Sequence, residues 1–172
     1  RVYQYDGSSW TQLGLDIDGE AAGDQNSRSV SLSSDGTIVS ISSNYNSSSK
    51  GHVRVYQYDG SSWGQIGQDI DGEASGDYSG YSVSLSSDGT IVAIGAIYND
   101  GNGSDSGHVR VYQYSDSSWS QLGSDIDGEE ANDYSGYFVS LSSDGTIVAI
   151  GATGIGASRG WNTSGYVCLL YT

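Results

Sequence analysis

Carboxylates recur at fixed places in this sequence, and they are the first residues to test for chemistry. The phrase DIDGE begins at Asp16, Asp69 and Asp125, so that pairs such as Asp69 and Asp71 stand close together. Glycoside hydrolysis needs two carboxylates facing each other across a pocket, one of them with a raised pKa. Regular copies on a strand exit read instead as exposed, repeated surface residues. A second set lies in one polar stretch, where Asp100, Asn102, Ser104 and Asp105 alternate around glycine. Such a wrapped loop of oxygens suits a hard cation, calcium above all, and a solvated polar loop is spelled with the same letters. His52 and His108 occupy equivalent positions and Tyr166 takes the third. A histidine that interchanges with tyrosine serves as an aromatic on a strand rather than as a metal ligand or base. Asn46, Asn102 and Asn162 each open an Asn-Xaa-Ser/Thr sequon and are candidates for glycosylation. Trp161 sits between strands, where its ring can stack on a ligand or tuck into a neighbouring unit. Cys168 is the single cysteine, within YVCLLY, and reads as a small buried hydrophobe.

Bulk composition narrows the classes. The 172 residues carry a formal charge of −15, which disfavours nucleic acid and anionic membrane surfaces as partners. The same charge admits cations, or it keeps a Ser- and Gly-rich surface soluble. With no Met, the chain is expected to be a processed or excised piece. No apolar run approaches the ~20 residues of a membrane helix.

The elements that position these residues follow from internal repetition. RVYQY begins at Arg1, Arg54 and Arg110, and SSDGTIV carries Asp35, Asp88 and Asp144; each landmark steps by 53 and then 56 residues. Length varies only in the segment before GHV or GYV, which marks that segment as a surface loop on a constant scaffold. Within one unit the pattern predicts four strands. Strand A (81–86) alternates Val83 and Leu85 with serines, and an Asp-Gly turn follows. Strand B (90–96) is apolar on both faces, as a doubly covered strand is. Strand C (107–114) is rich in Val and Tyr, and strand D (119–126) begins at Trp119. No segment has a capped 3.6-residue period, so the chain is expected to be almost free of helix. Four antiparallel strands in ~50 residues, in tandem, describe propeller-like blades that supply each other's core. Tyr56, Tyr58, Trp63 and their equivalents are then inter-blade packing.

Residues 76–114, GDYSGYSVSLSSDGTIVAIGAIYNDGNGSDSGHVRVYQY, resemble the FG-GAP repeat of integrin-α-like β-propellers. The shared features are the strand, the Asp-Gly turn, the apolar strand ending in Gly-Ala, and the Gly-Xaa-Val-Xaa-Val-Tyr strand. Many repeats of that family hold calcium between strands A and B through an Asp-Xaa-Asp/Asn-Xaa-Asp-Gly loop. Here the turn is only SSDGT, and one carboxylate such as Asp88 does not make a cage of six to eight oxygens.

These readings give an all-β chain of tandem four-stranded antiparallel blades, divided as a fragment 1–20, blades 21–73 and 74–129, and an incomplete blade 130–172. Three blades do not close a ring, so the array is expected to be open, continued by a longer chain, or completed by neighbouring chains. The A–B and C–D turns fall on one face; the longer B–C and D–A loops share the other, where binding is expected. The expected function is a non-catalytic module of adhesion or structural assembly, secreted or at the cell surface, with its own copies or adjoining blades as partners. The alternative is a carbohydrate-binding propeller. A glycan-active enzyme ranks behind both.

Overall fold

The computed structural model describes residues 1–19, 27–45 and 49–154, and the backbone of residues 26 and 166–171. All of their regular structure is strand. A two-stranded ribbon, β1 (Tyr3–Tyr5) and β2 (Trp10–Gln12), precedes the first full sheet. That sheet runs β3 (Asn26–Leu32), β4 (Ile38–Ser43), β5 (His52–Tyr58) and β6 (Trp63–Gln65), with β7 (Ile70–Asp71) also on β5. The second sheet runs β8 (Ser79–Leu85), β9 (Ile91–Ala96), β10 (His108–Ser115) and β11 (Ser118–Asp127). The third holds β12 (Phe138–Leu141), β13 (Ile147–Ala152) and β14 (Tyr166–Tyr171). Each is an antiparallel meander, so the propeller-like blade expected from the repeat is the observed unit. Strand D departs from the expectation in the first full blade. There it breaks into β6 and β7 around Gly67, while in the second blade it is continuous as β11, with a register shift between Val109 and Val111.

Period-2 patterning sends alternate side chains of each blade to opposite neighbours. Val53, Val55, Ile38 and Ile70 of the first full blade meet Val83, Leu85, Val92, Ile94 and Trp119 of the second. Ala93, Val109 and Val111, on the other side of that second blade, meet Val148 and Ile150 of the third. The Trp119 indole N–H donates to the Ile66 carbonyl at 3.0 Å, and Trp63 does the same to Leu13 at 2.8 Å. Gly67 has φ +70, and a side chain there would meet Trp119 at 2.6 Å, so the indole needs glycine beneath it.

The serines of strand A have a role that alternation alone does not reveal. The outer edge of β8 has amides with no strand beside them. Val83 N–H donates to Ser29 Oγ at 3.1 Å and Leu85 N–H to Ser31 Oγ at 3.0 Å, both in the preceding blade. Leu141 N–H repeats the bond to Ser84 Oγ at 2.9 Å. Serine hydroxyls thus replace a strand partner for an edge that would otherwise be unsatisfied. Ser40, at the place of Ala93, is a contrast: it is 0% exposed and its hydroxyl has no partner.

Two serine substitutions therefore act in opposite directions. Ser31→Ala strands the Leu85 amide and is expected to lower stability by about 1–2 kcal/mol. Ser40→Ala removes a buried unpaired hydroxyl and is expected to raise it by about 1 kcal/mol. Urea unfolding midpoints of the two variants against the parent check both signs.

Candidate functional site

The loop face built by the B–C and D–A segments carries a row of aromatics. Tyr45 meets Tyr78 edge-on with ring centroids 4.9 Å apart. Tyr78 meets Tyr98 at 5.0 Å, and Tyr98 meets Tyr134 at 5.6 Å. Tyr45 and Tyr98 come from B–C loops, Tyr78 and Tyr134 from D–A loops, so the row crosses from blade to blade. Beside it Arg28 lies 4.1 Å over the Tyr81 ring, and Tyr81 packs on Tyr137 at 4.8 Å.

Backbone bonds hold this row in place. Tyr78 N–H donates to Ser49 O at 3.0 Å and Tyr134 N–H to Asp105 O at 3.1 Å, tying each D–A loop to the preceding blade's B–C loop. Both tyrosines have positive φ, 56° and 54°, a costly conformation for a bulky residue that the surrounding contacts must impose. Asp77 is buried and its Oδ2 accepts from Ala74 N–H and from Asn99 Nδ2. Two grooves flank the Tyr78–Tyr98 pair. One of about 360 Å³ is walled by Arg28, Asn44 and Tyr81; one of about 350 Å³ by Asp77, Asp100 and Asp105.

The B–C loop residues singled out for a cation are only partly brought together. Asp100 and Asp105 share the second groove, and Asp100 Oδ1 accepts the Asp105 N–H at 2.8 Å. Asn102 turns away, its Nδ2 donating to Gly128 O at 2.8 Å and Glu129 O at 3.1 Å. A glycan on that nitrogen would leave one N–H for these two carbonyls. Asn46, Asn162 and Trp161 lie outside the described residues, as does the side chain of Cys168.

Residues 70–112, from β7 into β10, match the family model of the FG-GAP repeat. The chain carries an FG-GAP repeat. No curated protein matches the sequence. Among solved structures, Kuenenia stuttgartiensis hydrazine synthase is similar with a TM-score of 0.52 at 12% identity, over 83% of this chain and 33% of that one. TolB from Acinetobacter baumannii has a TM-score of 0.45 at 14% identity, over 87% and 29%. The chain spans about a third of the length of each. At 12% identity the likeness to hydrazine synthase concerns the fold.

Two sets of repeated carboxylates, inside the matched segment and in the units beside it, are engaged within the scaffold. At the A–B turn Asp88 Oδ1 accepts from the Ser86 hydroxyl and from the Thr90 amide and hydroxyl, and Asp35 and Asp144 do the same in their blades. Asp69 and Asp125 are not the exposed surface residues the sequence suggests, whereas Asp16, paired with Arg1, is. Arg54 grips Asp69 through Nε and Nη2 at 2.9–3.0 Å, and Arg110 grips Asp125 at 3.1 Å. The cause is physical: Arg54 and Arg110 are largely buried on strand C and need a charge partner, and the D-strand aspartate is the one alongside. Burial pushes the Asp69 carboxyl up, but Arg54 and Gln65 outweigh it and the net shift is downward. His108 is buried with Nδ1 3.6 Å from Asp125, and Glu73, His108 and Asp125 lie close enough together for one ion. Arg110, paired with both Glu73 and Asp125, already supplies the positive charge there.

Acid sensitivity follows from these groups. Hydrogen bonds from Ser33 and Thr37 hold Asp35 at about 2, below its ordinary 3.8, and Ser142 and Thr146 hold Asp144 at about 2. Their contribution to stability is complete above the ordinary value and is lost as pH falls toward 2. Burial lowers the His108 pKa from 6.5, against the opposing charge of Asp125, so its neutral form is the folded form. The unfolded chain takes up that proton first, and stability declines as pH falls through 6.5. Urea unfolding across a pH series is expected to show both stages, and His108→Tyr, copying the third blade, is expected to remove the upper one.

Proposed function

We propose that the chain is a non-catalytic extracellular repeat module that works in adhesion or structural assembly by stacking blade on blade. One observation carries this reading. Val83 and Leu85 of the second full blade are each 7% exposed, while their equivalents Val30 and Leu32 in the first are 58% and 50% exposed. The same two apolar positions are core in one blade and bare in the other. At the opposite end of the stack, Phe138 is 66% exposed where its equivalent Ser82 is buried against the next blade. An apolar row that each blade covers for its neighbour calls for a further blade, from a second copy or from continuing repeats of a longer protein. Such a contact joins unlike surfaces, and a heterologous contact builds rings or filaments.

The extracellular setting is supported by the family, since FG-GAP repeats occur in extracellular proteins. Among the described residues no helix is long and apolar enough to cross a membrane. The non-catalytic reading is supported by the engagement of the repeated carboxylates with arginine, serine and threonine.

Sedimentation of the 172-residue chain over a concentration series tests the proposal. Association above the monomer mass is expected, unchanged by EDTA because apolar burial drives it, and Leu32→Asp is expected to return the monomer. A parent chain that stays monomeric at every concentration would contradict the stacking role.

A further inference from the structure

We propose that the tyrosine row is a binding site for a neutral oligosaccharide laid across two blades. This goes beyond the stacking role and does not depend on it, because the row lies on the loop face and the bare apolar positions lie on the blade sides.

The argument begins with shape. The two grooves share Tyr78 and Tyr98 as a common wall, so they lie side by side from the first full blade to the second, a trough with the tyrosine pair as its ridge. Each, at about 350–360 Å³, falls in the range of small-molecule sites. A sugar chain is long, narrow and amphipathic, with a C–H face on each ring and hydroxyls around the rim. Tyrosine matches both aspects, offering an apolar ring and a polar tip. Tyr45 and Tyr98 each pack on Tyr78 and still leave 44% and 38% of their surface exposed for a ligand.

The polar groups are placed to read hydroxyls. Asp100 and Asp105 border one groove as acceptors. Asn44 borders the other; it is 2% exposed and its side-chain oxygen has no partner. A buried acceptor without a donor is costly unless something supplies one.

Charge selects the sugar class. With a net −15 and aspartates at the trough, sulfated and uronic acid chains are repelled, leaving neutral sugars, N-acetylated amino sugars among them. A cationic peptide is the competing occupant for an aromatic surface, but Arg28 already covers the Tyr81 face and places positive charge in the first groove. The row is also pre-organised. Edge-on ring contacts and the loop-to-loop backbone bonds fix Tyr78 and Tyr134 in a strained conformation before any ligand arrives, which reduces the ordering cost of binding.

Titration calorimetry of the whole chain with cellohexaose, chitohexaose and maltohexaose tests the site. Binding of at least one is expected, weakened tenfold or more by Tyr98→Ala and unchanged by Trp10→Ala, an exposed aromatic outside the trough. Far-UV circular dichroism shows whether Tyr98→Ala keeps its strands. If it does not, Tyr45→Ala at the exposed end of the row replaces it, with the same expected weakening. No binding of the three at millimolar concentration, binding indifferent to these tyrosine variants, or displacement of the sugar by an oligo-arginine peptide seated on the same tyrosines would overturn the proposal.

Discussion

Burial of one blade's side by the next is the interaction on which the rest of this structure depends. Val53 and Val55, fully buried, share one side of their sheet with Ile38 and Ile70, and Val83, Leu85 and Ile94 of the following blade cover that side. A single four-stranded sheet with two apolar sides has nowhere to put them. Repetition solves this, because the side that needs covering and the side that covers are both written into every unit. The polar bonds follow the same direction. Serines of one strand A accept the edge amides of the next, and Trp63 and Trp119 each donate to a carbonyl one blade earlier. Hydrophobic area supplies most of the driving force, and these bonds set the register in which it is buried.

That division of labour frees the loop face. The blade sides and the A–B turns consume the repeated letters: the Arg–Asp pairs lock strand C to strand D, and the turn aspartates are saturated by Ser and Thr. Their fixed chemistry explains why the letters barely change from unit to unit. The B–C and D–A loops carry no such duty beyond joining each other, so their length and side chains vary. The tyrosines stand on these loops, held by backbone bonds that belong to the scaffold. A rigid frame presenting adjustable loops is the usual arrangement for binding.

Much of the fold was legible in the sequence because it rests on local pattern. Alternation of Val83 and Leu85 with serine, the Asp-Gly turns and the run Ile91–Ala96 each specify strands without reference to distant residues. What escaped depends on partners one repeat away. The serine-to-amide bonds link residues 54 and 57 apart, and nothing local distinguishes a serine facing water from one facing the next blade. The Arg–Asp pairing had a visible signal: Arg54 and Asp69 recur together at a constant separation of 15 residues. On the loop face the residues that stand out in the sequence are carboxylates and sequons. The equivalence of Tyr45 with Tyr98 and of Tyr78 with Tyr134 was present in the repeat, and only the folded chain shows them as one row.

The most direct test of this account is the folding of one blade by itself. A peptide of residues 74–129 contains all four strands and every hydrogen bond within its sheet, and lacks only its neighbours. The account predicts that circular dichroism and proton NMR show an unfolded chain with no cooperative thermal transition. A dispersed spectrum and a sharp unfolding transition from that peptide would show that the sheet sustains itself, and would contradict the dependence of each blade on the next.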